Sequence, residues 1–186
     1  GRPLMLAGDI DGARKMMQMN TELFRKHQIE TLVTSCPICL KVFKEEYNLQ
    51  GIRVLHHSEY ILELISQGRL SVKNNGNLVT YHDPCELGRG CGIYEEPRSV
   101  LKRVTNLQKT KYQKDKSVCC GFNLGNTVLS VEQQTKIRNA SLKNLTSKPV
   151  DTVVTACPMC KKAFIRATNE YPVRDIAEIV AENLIN

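Results

Sequence analysis

The chain of 186 residues contains no tryptophan, and only 5% of it is aromatic. Its net charge is +7, from scattered basic residues and one cluster between Lys102 and Lys116. Basic surfaces that bind nucleic acid interleave cations with rings that stack on bases. That interleaving is missing, so no nucleic-acid partner is expected. The charge reads as a solvated basic face or a surface for an acidic partner protein. No apolar run approaches the roughly 20 residues of a membrane-spanning helix. The first residues, Gly1-Arg-Pro-Leu-Met-Leu-Ala, show no basic segment followed by an apolar stretch of about 7–15 residues, so no signal peptide is visible. Gly88, Gly90 and Gly92 lack the spacing and the following helix start of a dinucleotide phosphate loop. The sequons at Asn139 and Asn144 fall in a predicted helix and read as chance.

What the chain has in excess is cysteine, eight in all. In a short secreted chain eight cysteines would suggest disulfides. Paired C-x-x-C spacing in a cytoplasmic setting, the one expected here, points to metal or redox chemistry. The central stretch is Thr152-Val-Val-Thr-Ala-Cys157-Pro-Met-Cys160. An apolar, β-branched run ends at two thiols three residues apart, and a helix-forming segment follows. Proline fits the first helical turn, where its missing N–H costs nothing.

The pattern predicts a helix over 9–27, with Asp9 and Asp11 at its start and Arg25, Lys26 and His27 at its end, as the helix dipole prefers. A strand over 29–34 follows. Cys36-Pro-Ile-Cys39 opens a helix to about Tyr47, and a strand spans 52–55. Ser58 is expected to cap the next helix, which Gly68 ends. Residues 71–77 form a polar connection. A strand over 78–82 runs into Asp83-Pro-Cys85. A glycine-rich turn over 88–92 leads to a helix over 95–104, a strand over 107–112 and a basic loop carrying Cys119-Cys120-Gly121. A long helix over 127–147, a strand over 150–155, a helix from Cys157, a short strand at Val173 and a helix over 176–185 complete the chain. Strands alternating with helices predict an α/β fold of parallel βαβ units, whose functional loops lie at the carboxyl ends of the strands. Each paired cysteine, and Cys85, follows a predicted strand directly or closely.

Residues 29–43 align without gaps on 150–164 with eight of fifteen positions identical, Cys36/Cys157 and Cys39/Cys160 among them. The repeat divides the chain into the back half of one cysteine-rich unit (1–70), the connection (71–77) and a complete second unit (78–186). Gly121 lies 36 residues before Cys157, and Gly1 lies 35 before Cys36. The expectation is therefore a fragment cut just after a first unit's cysteine pair, with a tag remnant as the alternative reading of Gly1. The first site would then be broken, since Cys36 and Cys39 supply only two thiolates. The missing half would leave an exposed apolar edge able to drive dimerisation.

In the second unit Cys85 is followed after 33 residues by Cys119-Cys120 and after 36 more by Cys157-x-x-Cys160. Five thiols so placed can converge on one point. Adjacent Cys119 and Cys120 cannot easily chelate one ion together but can serve two. The spacing and the flanks, Tyr81-His-Asp-Pro-Cys85-Glu-Leu-Gly-Arg89, Gly92-Ile-Tyr-Glu-Glu-Pro-Arg98 and Cys119-Cys-Gly121, resemble the CCG or cysteine-rich domain family over essentially the whole chain. That family includes the cysteine-rich component of heterodisulfide reductase and the iron–sulfur subunits of glycolate oxidase and anaerobic glycerol-3-phosphate dehydrogenase. This sequence departs from it by a slightly long second gap, an additional Cys91 and the missing start of unit one.

The resemblance implies that Cys85, Cys119, Cys120, Cys157 and Cys160 hold an iron–sulfur cluster, of four-iron type, non-cubane in the heterodisulfide reductases. Cys36 and Cys39 are further metal-ligand candidates. It also implies a flavin-containing oxidoreductase subunit and a ferredoxin-like domain or subunit as partners, with membrane association only through a partner. Electrons would pass to a disulfide or a quinone-linked acceptor. The alternative from a different class is a zinc-binding structural or interaction module without redox activity, four thiolates holding a tetrahedral ion. Arg89 and Arg98 are expected to pair with the cluster's charge or with Glu95 and Glu96. His82, His56 and His57 read as structural.

Overall fold

The computed structural model describes residues 1–122 and 128–185. The first half runs α1 (Arg2–Leu6), α2 (Ile10–Lys26), β1 (Thr31–Thr34), α3 (Pro37–Glu45), β2 (Arg53–His56) and α4 (His57–Ser66). The second runs β3 (Leu78–His82), α5 (Cys85–Cys91), α6 (Glu95–Val104), β4 (Asn106–Gln108), α7 (Val131–Leu145), β5 (Thr152–Thr155), α8 (Pro158–Ile165), β6 (Val173–Asp175) and α9 (Ile176–Glu182). The named strands pair only in parallel: β1 with β2, and a four-stranded sheet in the order β4-β3-β5-β6. The expected α/β class is observed.

Local chemistry sets most of the ends. Asp9 starts α2 by accepting the Gly12 N–H at 2.9 Å. Asp175 starts α9 by accepting the Ala177 N–H, while Glu178 accepts the Asp175 N–H in return. This reciprocal box satisfies two N–H groups that a helix end leaves open. Its counterpart in the first half departs from expectation. His56, not Ser58, caps α4: the Ser58 N–H points at His56 Nδ1 and Glu59 closes the box. Ser58 is fully buried behind it, with its hydroxyl 2.8 Å from the same ring nitrogen.

Other boundaries differ as well. The expected glycine-rich turn is helix α5, ended by Gly92 in the left-handed conformation at φ 73°. Glycine is the residue that adopts it at no steric cost. Strand β4 stops at Gln108 rather than Tyr112, and a 3-10 turn occupies Lys114–Lys116. Helix α7 starts at Val131 behind a Ser130 cap; the expected start at Thr127 lies outside the described residues. Helix α1 is not signalled by periodicity. The polar connection is pinned rather than free, since Lys73 N–H donates to Asn183 O and Ile185 N–H to Ser71 O.

The four-stranded sheet is covered on both faces. Val79, Tyr81 and Val154 pack with Val100, Leu101, Val104, Ile176, Ile179 and Val180, the inward faces of α6 and α9. Val153 and Val173 pack on the other side with Leu145 of α7 and Phe164 of α8. Each such fully buried aliphatic side chain contributes roughly 1.5–3 kcal/mol. The first half joins through α3 against α5 and α4 against α6 and α9. His57 Nε2 lies 3.2 Å from Asp175 Oδ1 at that junction, though among the described residues no hydrogen bond satisfies either ring nitrogen of His57. Both His56 and His57 are buried and serve the junction.

Candidate metal centre

The chain leaves β3 towards the β4 edge and leaves β5 towards the β6 edge. In open α/β sheets a crevice forms where the winding reverses, outside the strands' carboxyl ends. Cys85 follows β3 and Cys157 follows β5, so the two flank that reversal. Cys85 is the first residue of α5, behind an extended Pro84. Cys157 is the N-cap of α8, Pro158 opens the helix, and Cys160 lies in its first turn.

Cys119 and Cys120 arrive on a loop, eleven residues beyond the end of β4 (119 − 108). The loop is hung on residues around Asp83. Asp83 accepts the Lys114 N–H at 2.8 Å, and its carbonyl accepts the Ser117 hydroxyl at 3.1 Å. Arg89 donates to Asp115 O and Ser117 O, each at 3.0 Å. His82 Nε2 lies 3.2 Å from Val118 O, which also accepts from Ser141. Asp83 is held by Arg98 through two bonds of 2.5 and 2.7 Å, both side chains buried. The two arginines therefore direct their hydrogen bonds to Asp83 and to backbone and hydroxyl oxygens rather than to Glu95 or Glu96. They brace the turn before Cys85 and the loop before Cys119, and Glu95 pairs with Lys114 instead. The Asp-Pro-Cys and Pro-Arg flanks in the sequence were the available signal; their pairing depends on α6 lying over β3. Gly121 finishes the loop at φ 71°, and a Cβ there would stand 2.6 Å from Gln134 O of α7. Only glycine permits that approach.

The five thiols form a row. Cys85 interacts with Cys119, Cys119 with Cys120, Cys120 with Cys160, and Cys160 with Cys157. Hydrogen bonds from Cys119 and Cys160 lower Cys120 to about 4. The Cys160 thiol lowers Cys157, helped by the N–H groups of Cys160 and Met159 at the start of α8. Cys160 and Cys119, the donors, are raised. His82, packed edge-on against Phe164 at 4.8 Å, is lowered to about 4 by burial.

Cys85, Cys120, Cys157 and Cys160 line one narrow cleft of about 20 Å³, partly open to solvent, walled by Pro37, Ile38, Pro84, Phe122 and Met159. Two of those walls come from the first Cys-Pro-x-Cys turn, and the charge of Cys36 acts on Cys157. The first pair thus abuts the second site rather than standing apart from it. Cys36 is lowered to about 6 by the Cys39 thiol, and Cys39 is raised in exchange. Cys91 packs half-buried on the α6 side of the sheet, and burial pushes its thiol up. No disulfide joins any of the eight cysteines. Among the described residues no three His, Cys, Asp or Glu side chains form a ready cage for a single metal ion. Thiolates are the ligands of iron–sulfur clusters and also of tetrahedral zinc.

Comparison with known proteins bears on the same residues. The sequence profile of the CCG cysteine-rich domain matches residues 1–44 and 79–165. The chain is 34% identical to a probable membrane-anchored ferredoxin of Chromohalobacter salexigens, covering 96% of this chain and 29% of that protein. It is 30% identical to an uncharacterized iron–sulfur protein of Methanocaldococcus jannaschii, covering 94% and 33%. It is 27% identical to one subunit of the dihydromethanophenazine:CoB–CoM heterodisulfide reductase of Methanosarcina mazei, covering 99% and 49%. The chain thus spans less than half the length of these relatives. Among the described residues, no helix is long and apolar enough to cross a membrane.

Proposed function

The chain belongs to the CCG cysteine-rich domain family, and on that premise we propose that it is the iron–sulfur-binding segment of an oxidoreductase subunit. The observation that carries this reading is the row of five thiols at the winding reversal of the sheet, four of which line a cleft with apolar walls. Cys85, Cys119, Cys120, Cys157 and Cys160 would hold the cluster, of four-iron type. When bound, such a cluster takes up and releases single electrons.

The protein's own contribution is positional and electrostatic. Asp83, Arg98 and Arg89 fix the two segments that bring Cys85 and Cys119-Cys120 together. The N–H groups opening α8 offset thiolate charge at Cys157. Pro37, Ile38, Phe122 and Met159 give the sulfurs an apolar wall. The relatives' names support electron transfer within multisubunit oxidoreductases. A flavoprotein and a ferredoxin-like domain are the partners we propose, with a disulfide or quinone-linked acceptor, on the cytoplasmic side. Cys36 and Cys39 would act as accessory ligands at the cleft's first wall. No residue is assigned a catalytic role.

Anaerobic reconstitution with iron and sulfide tests the reading. Iron and acid-labile sulfide should bind in nearly equal amounts and give an absorption band that bleaches on reduction. Zinc retained in preference to iron under those conditions would establish the structural module instead.

A further inference from the structure

A second cavity shares no lining residue with the thiol cleft. It encloses about 250 Å³ between β3, α6, the end of β4 and the loop that follows. Four of its lining groups are cations, Arg98, Lys102, Lys109 and Lys114, and one, Glu95, is a carboxylate. Two of the cations are already balanced, Lys114 by Glu95 at 2.5 Å and Arg98 by Asp83. Lys102 and Lys109 have no carboxylate within ion-pair distance among the described residues. The cavity therefore carries two uncompensated positive charges around a concave floor.

That floor is built rather than incidental. Arg98 is only 7% exposed at its side chain, and its guanidinium lies 5.3 Å from the centre of the Tyr81 ring. Tyr81 is 3% exposed, and its hydroxyl is buried without a hydrogen-bond partner among the described residues. Buried hydroxyls almost always find a partner, so this one is left to pair with a water or a ligand atom. An oxyanion supplies what is lacking, negative charge for the two lysines and an acceptor for the tyrosine. The volume admits phosphate or a short carboxylate.

We propose that this cavity is a binding site for a small oxyanion-bearing ligand, a phosphate or a carboxylate, gripped by Lys102 and Lys109 over Arg98 and Tyr81. The site stands independently of what the thiols bind. It is mechanically close to them, because Arg98 and the Lys114 N–H both hang on Asp83, two residues before Cys85.

Calorimetric titration of the full chain at low ionic strength, with inorganic phosphate in one arm and malonate in the other, tests it. Saturable one-site binding is expected in at least one arm, and the arm that binds identifies the ligand class. K102Q/K109Q should weaken that binding by about tenfold or more, as loss of two charge-assisted contacts requires. Both lysines are exposed, so the variant should melt like the parent. Lys111→Gln/Lys116→Gln removes equal charge from the same basic stretch outside the cavity and should leave the affinity unchanged. Tyr81→Phe should weaken binding while Lys111→Gln/Lys116→Gln does not. Equal weakening by the two lysine double variants would reduce the effect to diffuse surface charge and overturn the proposal. So would absence of saturable binding in both arms, including the case in which only an acidic protein binds.

Discussion

The two Cys-Pro-x-Cys turns carry nearly the same local sequence and occupy different environments. Each follows a parallel strand and opens a helix, and each is followed by a second parallel strand ending in a capping box, at His56 in one case and Asp175 in the other. In the second half β5 lies between β3 and β6, and all four of its residues are buried. In the first half β1 pairs only with β2, and Val33 is 38% exposed where its counterpart Val154 is fully buried. Cys160 is buried and Cys39 exposed. Helix α2 likewise shows Met16, Met19 and Leu23 to solvent. Two similar fifteen-residue stretches yield the same strand–turn–helix twice, but the neighbouring strand and loop decide which thiol pair is buried beside Cys85 and Cys120.

Substitution at matched positions tests that contrast most strongly through metal content. Cys160→Ala should abolish iron retention after anaerobic reconstitution, since it removes a buried member of the row. The Cys36→Ser/Cys39→Ser double variant should retain most of the iron, and Cys91→Ala all of it. Iron and sulfide analysis decides; comparable loss from the double variant would make the two turns a single site.

The clamp that brings in the Cys119 loop has no counterpart in the first half among the described residues. Asp83→Asn should cost about 3–5 kcal/mol, because it leaves Arg98 buried without its counter-charge. Denaturant unfolding of the metal-free chain measures this, and a loss below about 1 kcal/mol would show that the clamp is dispensable for folding.

A smaller effect separates the two strands. Val154→Ala should destabilise by about 2–3 kcal/mol, from lost burial plus the cavity left behind. Val33→Ala should stay within about 0.5 kcal/mol, as for other half-exposed sites. Equal costs, read from the same unfolding curves, would mean that the β1 edge is covered in solution.

The smallest effect is in the pH dependence of the cap. Burial and neighbouring His57 lower His56 to about 3 in the folded chain, against 6.5 for an ordinary histidine. Between those values the unfolded state binds more protons, so stability is full above pH 6.5 and falls as pH drops towards 3. The slope cannot exceed about 1.4 kcal/mol per pH unit for one proton. His56→Gln should flatten this part of the profile, and His82, lowered to about 4, should account for part of what remains. An unchanged slope in His56→Gln would remove His56 from the acid response.

Element types were legible in the chain alone, because they rest on short-range chemistry: β-branched runs, proline at a helix start, and a period that switches from two to near four. The spacing also pointed to Cys85, Cys120, Cys157 and Cys160, which line one cleft. What it could not supply were contacts between segments distant in the chain. Ser58 looked like a cap because cap propensity is local, yet His56 fills that place since its ring is buried at the junction with β5 and α9. Arg98 looked free to face Glu95 or Glu96, one helical turn or less away, whereas packing α6 over β3 put it against Asp83. Residues 88–92 read as a turn from their three glycines, and tertiary packing made them a helix, with Gly88 lying so close to the Tyr94 ring that a Cβ would not fit. The approach of the first thiol pair to Cys157 likewise arises only when α3 packs on α5. Local free energies fix which elements form; which buried charges and sulfurs meet is decided by long-range packing.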